Sequence, residues 1–215
     1  MNISLYVLII LEFLVSCDQV TPNKNADQPY AATIQTDTCD NPDAAINCCF
    51  IGMPANPGSA MTIGNKDEPG VRLVISGTIY KADGKTPYPN VILYAYHTNS
   101  KGYYAKAGNE TGFQKWHGHL HGWCKTDENG YYEIRSIRPA RYPNNTMPAH
   151  IHAAIKKPGN ERAYYISDFV FKDDSLVNDK YLKSVIATVG GTGIVDLEKS
   201  PDGTWKGRRN ISLTE

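Results

Sequence analysis

From Val71 onward, apolar and polar positions fall into short β-rich runs separated by turn residues, and only one stretch has helical character. Val71–Tyr80 is the first run, closed by the turn residues Ala82-Asp83-Gly84-Lys85. Val91–His97 is the second, ending at Asn99-Ser100-Lys101-Gly102. Asp127-Glu128-Asn129-Gly130 marks a tight turn ahead of a strand over Tyr131–Ile137. His150–Lys156, Tyr164–Phe171, Ile194–Leu197 and Trp205–Leu213 complete the set, and Leu176–Val185 is the helix candidate. Gly190-Gly191-Thr192-Gly193 is a glycine turn rather than a phosphate loop, because no helical pattern follows it. This pattern predicts an all-β domain over residues 71–215, a two-sheet β-sandwich of short antiparallel strands.

The chain before Val71 reads differently. Residues 39–70 carry Cys39, Cys48 and Cys49 among Pro54, Pro57 and Pro69, and form an irregular cysteine-containing arm. Residues 18–38 are polar with no apolar period, as in a flexible tether. Ile3–Val15 is an apolar run shorter than the ~20 residues a membrane-crossing helix needs. It ends in Leu14-Val15-Ser16-Cys17, which resembles a bacterial lipobox. Residues 1–17 therefore read as a lipoprotein signal peptide, with Cys17 as the lipidated first residue of an exported, membrane-anchored protein in the periplasm or at the cell surface. Several acyl chains on one cysteine would hold firmly, at ~0.8 kcal/mol per buried CH₂. Export makes disulfides plausible among Cys39, Cys48, Cys49 and Cys124. Their pairing stays open, although adjacent Cys48 and Cys49 bond more easily to different partners than to each other.

Composition narrows the partners. A hydrophobic fraction of 41% and a charged fraction of 20% describe a soluble globular protein with a real core. Lys+Arg and Asp+Glu both count 22, so no basic surplus draws in nucleic acid by counterion release. Nothing in the pattern sets an oligomeric state. Fourteen tyrosines against five phenylalanines is a mix suited to half-wet strand faces, and tyrosine can also ligate a metal as phenolate.

The histidines point the same way. In Pro148-Ala149-His150-Ile151-His152 the two imidazoles are two positions apart, so a strand projects both from one face. That is half of a metal site, or a pair of polar residues on a solvated face. Tyr104 ends a turn at a strand end, and Tyr142 sits in the extended segment Arg138-Pro139-Ala140-Arg141-Tyr142-Pro143 leading to the histidines. Spacing alone does not select these two among the other tyrosines.

Six segments in order carry a resemblance that does select them. They are Val74–Tyr80, Pro89–Leu93, Asn99–Tyr104, Thr126–Tyr132, Ile137–Pro143 and Pro148–His152. From about Asp67 onward the chain resembles the intradiol ring-cleavage dioxygenases, the group of protocatechuate 3,4-dioxygenase and catechol 1,2-dioxygenase. The resemblance implies ferric iron, Fe(III), bound by Tyr104, Tyr142, His150 and His152. It also implies a catechol-type aromatic substrate and O₂, with Tyr142 released as a base for a catechol proton and the ring opened between its two hydroxyl carbons.

Two features depart from the family. Met147 precedes the Pro-Ala-His-Ile-His segment where well-known members carry an arginine, and Tyr94-Ala95-Tyr96-His97 stands where they carry Glu and Trp. His117-Gly118-His119-Leu120-His121 is also additional, three alternating histidines that a strand would place on one face. With Met147 in place, negative charge on the substrate must be met by another group, and His119, His121 and Arg141 are the candidates. The alternating histidines read equally as a polar strand edge or as a lining of the substrate pocket, and could also supply a second metal site. Two functions remain open at this level: a ring-cleaving enzyme, or a non-catalytic surface lipoprotein that binds iron or catecholates.

Overall fold

A computed structural model of the chain describes residues 39–41, 44–144, 146–159, 162–185 and 189–214. The expected signal peptide with Cys17 and the tether over 18–38 lie outside the described residues. The strands are β1 (Ala60–Thr62), β2 (Arg72–Tyr80), β3 (Ile92–His97), β4 (His121–Lys125), β5 (Tyr131–Ile137), β6 (His150–Lys156), β7 (Tyr164–Phe171), β8 (Ile194–Val195), β9 (Leu197–Lys199), β10 (Trp205–Arg208) and β11 (Ile211–Ser212). Two short helices, α1 (Gln114–His117) and α2 (Asp179–Ser184), and a 3₁₀ turn over Ile46–Phe50 complete the described elements. Asn178 caps α2 by accepting the Tyr181 amide at 3.1 Å, which explains why the weak pattern over 176–185 is helical at all.

The strands form two sheets, ordered β1-β5-β2-β10-β9 and β4-β3-β6-β7-β8, with β11 continuing alongside β2. This is the expected β-sandwich. Its core lies between the sheets, where every second residue of each strand points inward: Leu73, Ile75 and Ile79 from β2, Tyr132 and Ile134 from β5, Leu93 and Ala95 from β3, Ile151, Ala153 and Ile155 from β6. Full burial of one such large side chain is worth about 1.5–3 kcal/mol.

Two expectations change. The sandwich begins before Val71, because β1 pairs with β5 and places Met61 and Ile63 in the core. A strand of three residues flanked by proline and glycine is too short to show as an alternating run. Nor are the pairings all antiparallel: β1–β5, β2–β10, β2–β11 and β7–β8 run parallel. The chain ends of these pairs are brought together from far apart in sequence, so no hairpin turn announces them. Where β10 gives way to β11, a Cβ on Gly77 would stand 1.8 Å from the Arg209 carbonyl oxygen, so only glycine lets the strands approach.

Cys39 and Cys48 are joined, with a Cα–Cα distance of 5.5 Å, while Cys49 and Cys124 are free and buried. The disulfide arm packs with Phe113 over Tyr94, Tyr96 and Ala154, on the outer face of β3 and β6. That outer face also carries His150 and His152. Among the described residues no helix is long and apolar enough to cross a membrane.

Candidate metal centre

The period-two alternation of β6 sends Ile151, Ala153 and Ile155 into the core and leaves His150, His152 and Ala154 on the outer face. Two irregular segments bring the tyrosines to this face. The turn over residues 98–104 and the segment over 138–143 are joined by Thr98 Oγ1 donating to the Ala140 carbonyl at 2.7 Å and by the Ala140 amide donating to the Asn99 carbonyl at 3.1 Å. Gly102, at φ +85°, lets the two backbones touch.

The four side chains converge. Tyr104 Oη lies 2.5 Å from Tyr142 Oη and 3.0 Å from His152 Nε2. Tyr142 Oη is 3.1 Å from His152 Nε2, which is itself 3.1 Å from His150 Nε2. The opposite ring nitrogens are already committed. His150 Nδ1 donates to the Pro148 carbonyl at 2.7 Å, and His152 Nδ1 is 3.0 Å from Asp168 Oδ1. A carbonyl can only accept, so the proton of neutral His150 is on Nδ1 and its Nε2 lone pair faces inward. Asp168 Oδ1, accepting from Nδ1, fixes His152 in the same tautomer.

Two imidazole lone pairs aimed at each other are unfavourable unless a proton or a cation lies between them. Burial lowers the pKa of His150, which disfavours the proton. Donors about 2 Å from one metal ion and at right angles lie ~3 Å apart, the spacing found here. Burial also raises both tyrosines, so without a cation the phenols keep their protons. The donor set thus fits a hard, highly charged ion. Asp168 forms a close group with the two histidines, its donor atom within 4.8 Å of theirs, but its contact with His152 Nδ1 makes it the orienting group rather than a fifth donor.

Comparison with known proteins gives the family of the chain. The Dioxygenase_C family model, described as dioxygenase, matches residues 50–209. This chain belongs to the intradiol dioxygenase family. It is 32% identical over 130 residues to catechol 1,2-dioxygenase of Acinetobacter baylyi, which is 52% of this chain and 40% of that one. Catechol 1,2-dioxygenase 1 of Acinetobacter lwoffii is 29% identical over 136 residues, 54% of this chain and 41% of the relative. The chain therefore spans about two-fifths of the length of the curated relatives it matches. Among solved structures, mercury-inhibited catechol 1,2-dioxygenase from Acinetobacter sp. ADP1 superimposes with a TM-score of 0.55 at 23% identity, covering 76% of this chain and 60% of that one. The dioxygenase domain of a dioxygenase–carbohydrate-binding fusion from Streptomyces sp. SirexAA-E gives 0.53 at 19% identity, covering 76% and 94%. These two likenesses establish the fold.

Within this intradiol dioxygenase fold the remaining candidate residues go elsewhere. Arg141 grips Asp174 through two nitrogens, with Nε to Oδ2 at 2.9 Å, and reaches Ser175 Oγ at 2.7 Å. Asp174 also accepts the Ala149 amide at 2.9 Å, so Arg141 braces the backbone next to His150 rather than offering its guanidinium to a substrate. His117, His119 and His121 do not share a strand face. His117 closes α1, Gly118 at φ +72° turns the chain against Tyr104 and Ala105, and only His121 lies on β4. The His121 ring packs on Tyr94, Phe113 and Trp123 with Nδ1 on the Gly118 carbonyl, and burial lowers its pKa, so it is no imidazolium donor to substrate. His117 comes closer: it stacks on Tyr96 at 3.6 Å between centroids, and Tyr96 stacks on His152 at 4.7 Å. Burial holds His117 down to about 3, so this ring too is neutral. Met147 is 45% exposed and lines a cleft of about 180 Å³ beside His150 with Asp168, Val170, Tyr181 and Thr192.

Proposed function

We propose that this chain is a non-haem iron intradiol dioxygenase that opens a catechol-type ring between its two hydroxyl carbons with O₂, using Tyr104, Tyr142, His150 and His152 to hold Fe(III). The observation that carries the reading is that Tyr104 Oη, Tyr142 Oη and His152 Nε2 lie 2.5–3.1 Å from one another, with His150 Nε2 3.1 Å from His152 Nε2 and both Nδ1 atoms tied back. Bound there, ferric iron would lower the proton affinity of catechol oxygens and make the ring reactive towards O₂.

The protein's own part is positional. His150 and His152 are held in one tautomer by Pro148 and Asp168. Tyr142 Oη, on the irregular segment over 138–143, is the proton acceptor for a substrate hydroxyl. Met147, Val170 and Tyr181 give the cleft apolar surface for a flat aromatic ring, beside the polar side chains of His150, Ser167, Asp168 and Thr192. The relatives' names, catechol 1,2-dioxygenase, support the same substrate class. We also propose export and anchoring through Cys17. The Leu14-Val15-Ser16-Cys17 sequence supports this, and the Cys39–Cys48 disulfide suits an oxidising compartment.

The test is iron loading followed by oxygen uptake. Protein loaded with Fe(III) should turn red-brown from tyrosinate-to-iron charge transfer, consume O₂ on addition of catechol, and release a muconate-type diacid. Loaded, coloured protein that consumes no O₂ with any catechol would make it a binder instead. Colourless loaded protein would remove the tyrosines from the site.

A further inference from the structure

Tyr104 lies on a segment with no strand or helix of its own, between the end of β3 and the start of α1. Its N-terminal side is fixed by the Asn99 turn, where the Asn99 amide donates to the Tyr103 carbonyl at 2.8 Å. Its C-terminal side has a different support. The Ala105 carbonyl accepts twice from His119, from the backbone amide at 2.8 Å and from ring Nδ1 at 2.9 Å. The far side of that ring, Nε2, lies 2.9 Å from Glu68 Oε2. Glu68 is only 8% exposed, unusual for a carboxylate outside a site.

Glu68 is in turn tied to the sandwich. Arg72, the first residue of β2, donates to the Glu68 carbonyl at 2.9 Å and the Lys66 carbonyl at 2.7 Å. An unbroken chain of bonds thus runs from β2 through Arg72, Glu68 and His119 to the peptide next to Tyr104. Among the described residues, the hydrogen bonds of Arg72, Glu68 and His119 reach none of the four donor side chains; the relay meets the centre through the backbone beside Tyr104.

We propose that the His119–Glu68 pair is a positioning device for Tyr104, setting where its phenol oxygen stands in the metal centre; this rests on the iron reading given above. The carbonyl fixes a proton on Nδ1, and the Nε2–Oε2 bond holds the ring plane, so the pair clamps Ala105 from one direction. Loss of Glu68 frees the ring, and loss of His119 frees the peptide. Outer partners of this kind typically change metal affinity 10–100-fold when removed.

The experiment compares wild type, Glu68→Ala, His119→Ala and Glu68→Gln, each titrated with Fe(III) while visible absorption is recorded, alongside thermal unfolding of the metal-free proteins. The alanine variants should bind iron about tenfold or more weakly and shift the tyrosinate charge-transfer band. Glu68→Gln, whose side-chain amide can either donate to or accept from Nε2, should restore most of both. Alanine variants that melt earlier yet keep wild-type affinity and band position would make the pair merely structural and overturn the proposal. If the alanine variants do not fold, a Glu68→Gln protein no closer to wild type in its band than Glu68→Leu overturns it equally. Wild type that takes up no iron would instead defeat the metal reading itself, and this inference with it.

Discussion

A Cβ on Gly102 would stand 2.0 Å from the carbonyl oxygen of Arg141, and Gly102 itself is at φ +85°. The two irregular segments that carry Tyr104 and Tyr142 are therefore in backbone contact at the one place where a side chain is impossible. Gly102→Ala adds left-handed strain of about 1–3 kcal/mol and an overpacking cost of similar size. We expect a lower unfolding midpoint and, because the segments must part, loss of the tyrosinate colour on iron loading. A variant that melts early but colours normally would show that the contact serves stability alone.

The four donors should separate by role. Tyr142→Phe is expected to weaken the visible band while much of the iron remains, and His150→Ala to lose most of the metal. Tyr103→Phe is the control, because Tyr103 is 59% exposed and next to a proposed ligand without sharing its position. Full colour and full iron content in both ligand variants would dismantle the assignment; iron quantitation and absorption spectra on the same samples decide it.

Half of this centre was legible in sequence and half was not, for physical reasons. His150 and His152 fall two apart on a strand, and strand periodicity alone puts them on one face. Tyr104 and Tyr142 sit on segments without periodicity, so only the family resemblance could single them out. The groups that hold the centre were invisible: Asp168, Asp174 and Glu68 meet their partners across 16, 33 and 51 positions, contacts that only the folded sandwich creates. The histidine run misled because Gly118 breaks what alternation presents as a continuous strand.

The proposed anchor has its own test. Cys17→Ala removes the thiol that would carry the lipid, so the protein should move from the membrane fraction to the soluble fraction on cell fractionation. Unprocessed full-length chain in the cytoplasm of wild-type cells would end the export reading.

Arg141 and Asp174 should matter for stability and for the centre together. Burial raises the Asp174 carboxyl, but the Arg141 guanidinium and the Ala149 and Leu176 amides outweigh it, and its pKa is lowered overall. A carboxyl lowered on folding contributes stability that is full above its unfolded value of ~3.9 and lost as pH falls through the folded value. Asp174→Asn breaks a pair whose side chains are 4% and 24% exposed, and should cost roughly 3 kcal/mol in chemical denaturation at pH 7. Iron affinity should fall with it, since Ala149 precedes His150. Unchanged stability would mean the Arg141 fork contributes nothing net.

His97 gives the clearest pH signature away from the metal. It is fully buried, its Nδ1 donates to the Thr98 carbonyl at 2.7 Å, and the Ser136 hydroxyl lies 2.7 Å from Nε2. Burial pushes its pKa down to about 4, so the folded ring is neutral. In the unfolded chain a histidine titrates near ~6.5. Between those values the unfolded state binds a proton that the folded state refuses, so stability is full above pH ~6.5 and falls as pH drops towards about 4. His117, His121 and His150 are also held down by burial, so no single stability curve isolates His97. The difference between wild type and His97→Gln does. His97→Gln should be less stable at pH 7.5, because a buried hydrogen-bonded ring is lost, at a cost of about 1–3 kcal/mol. That gap should then narrow by up to ~1.4 kcal/mol per pH unit as the wild type alone resists protonation. Urea unfolding of the metal-free proteins at pH 7.5, 5.5 and 4.5 measures it, and a gap that stays constant across the three would mean His97 is not the buried neutral group its contacts describe.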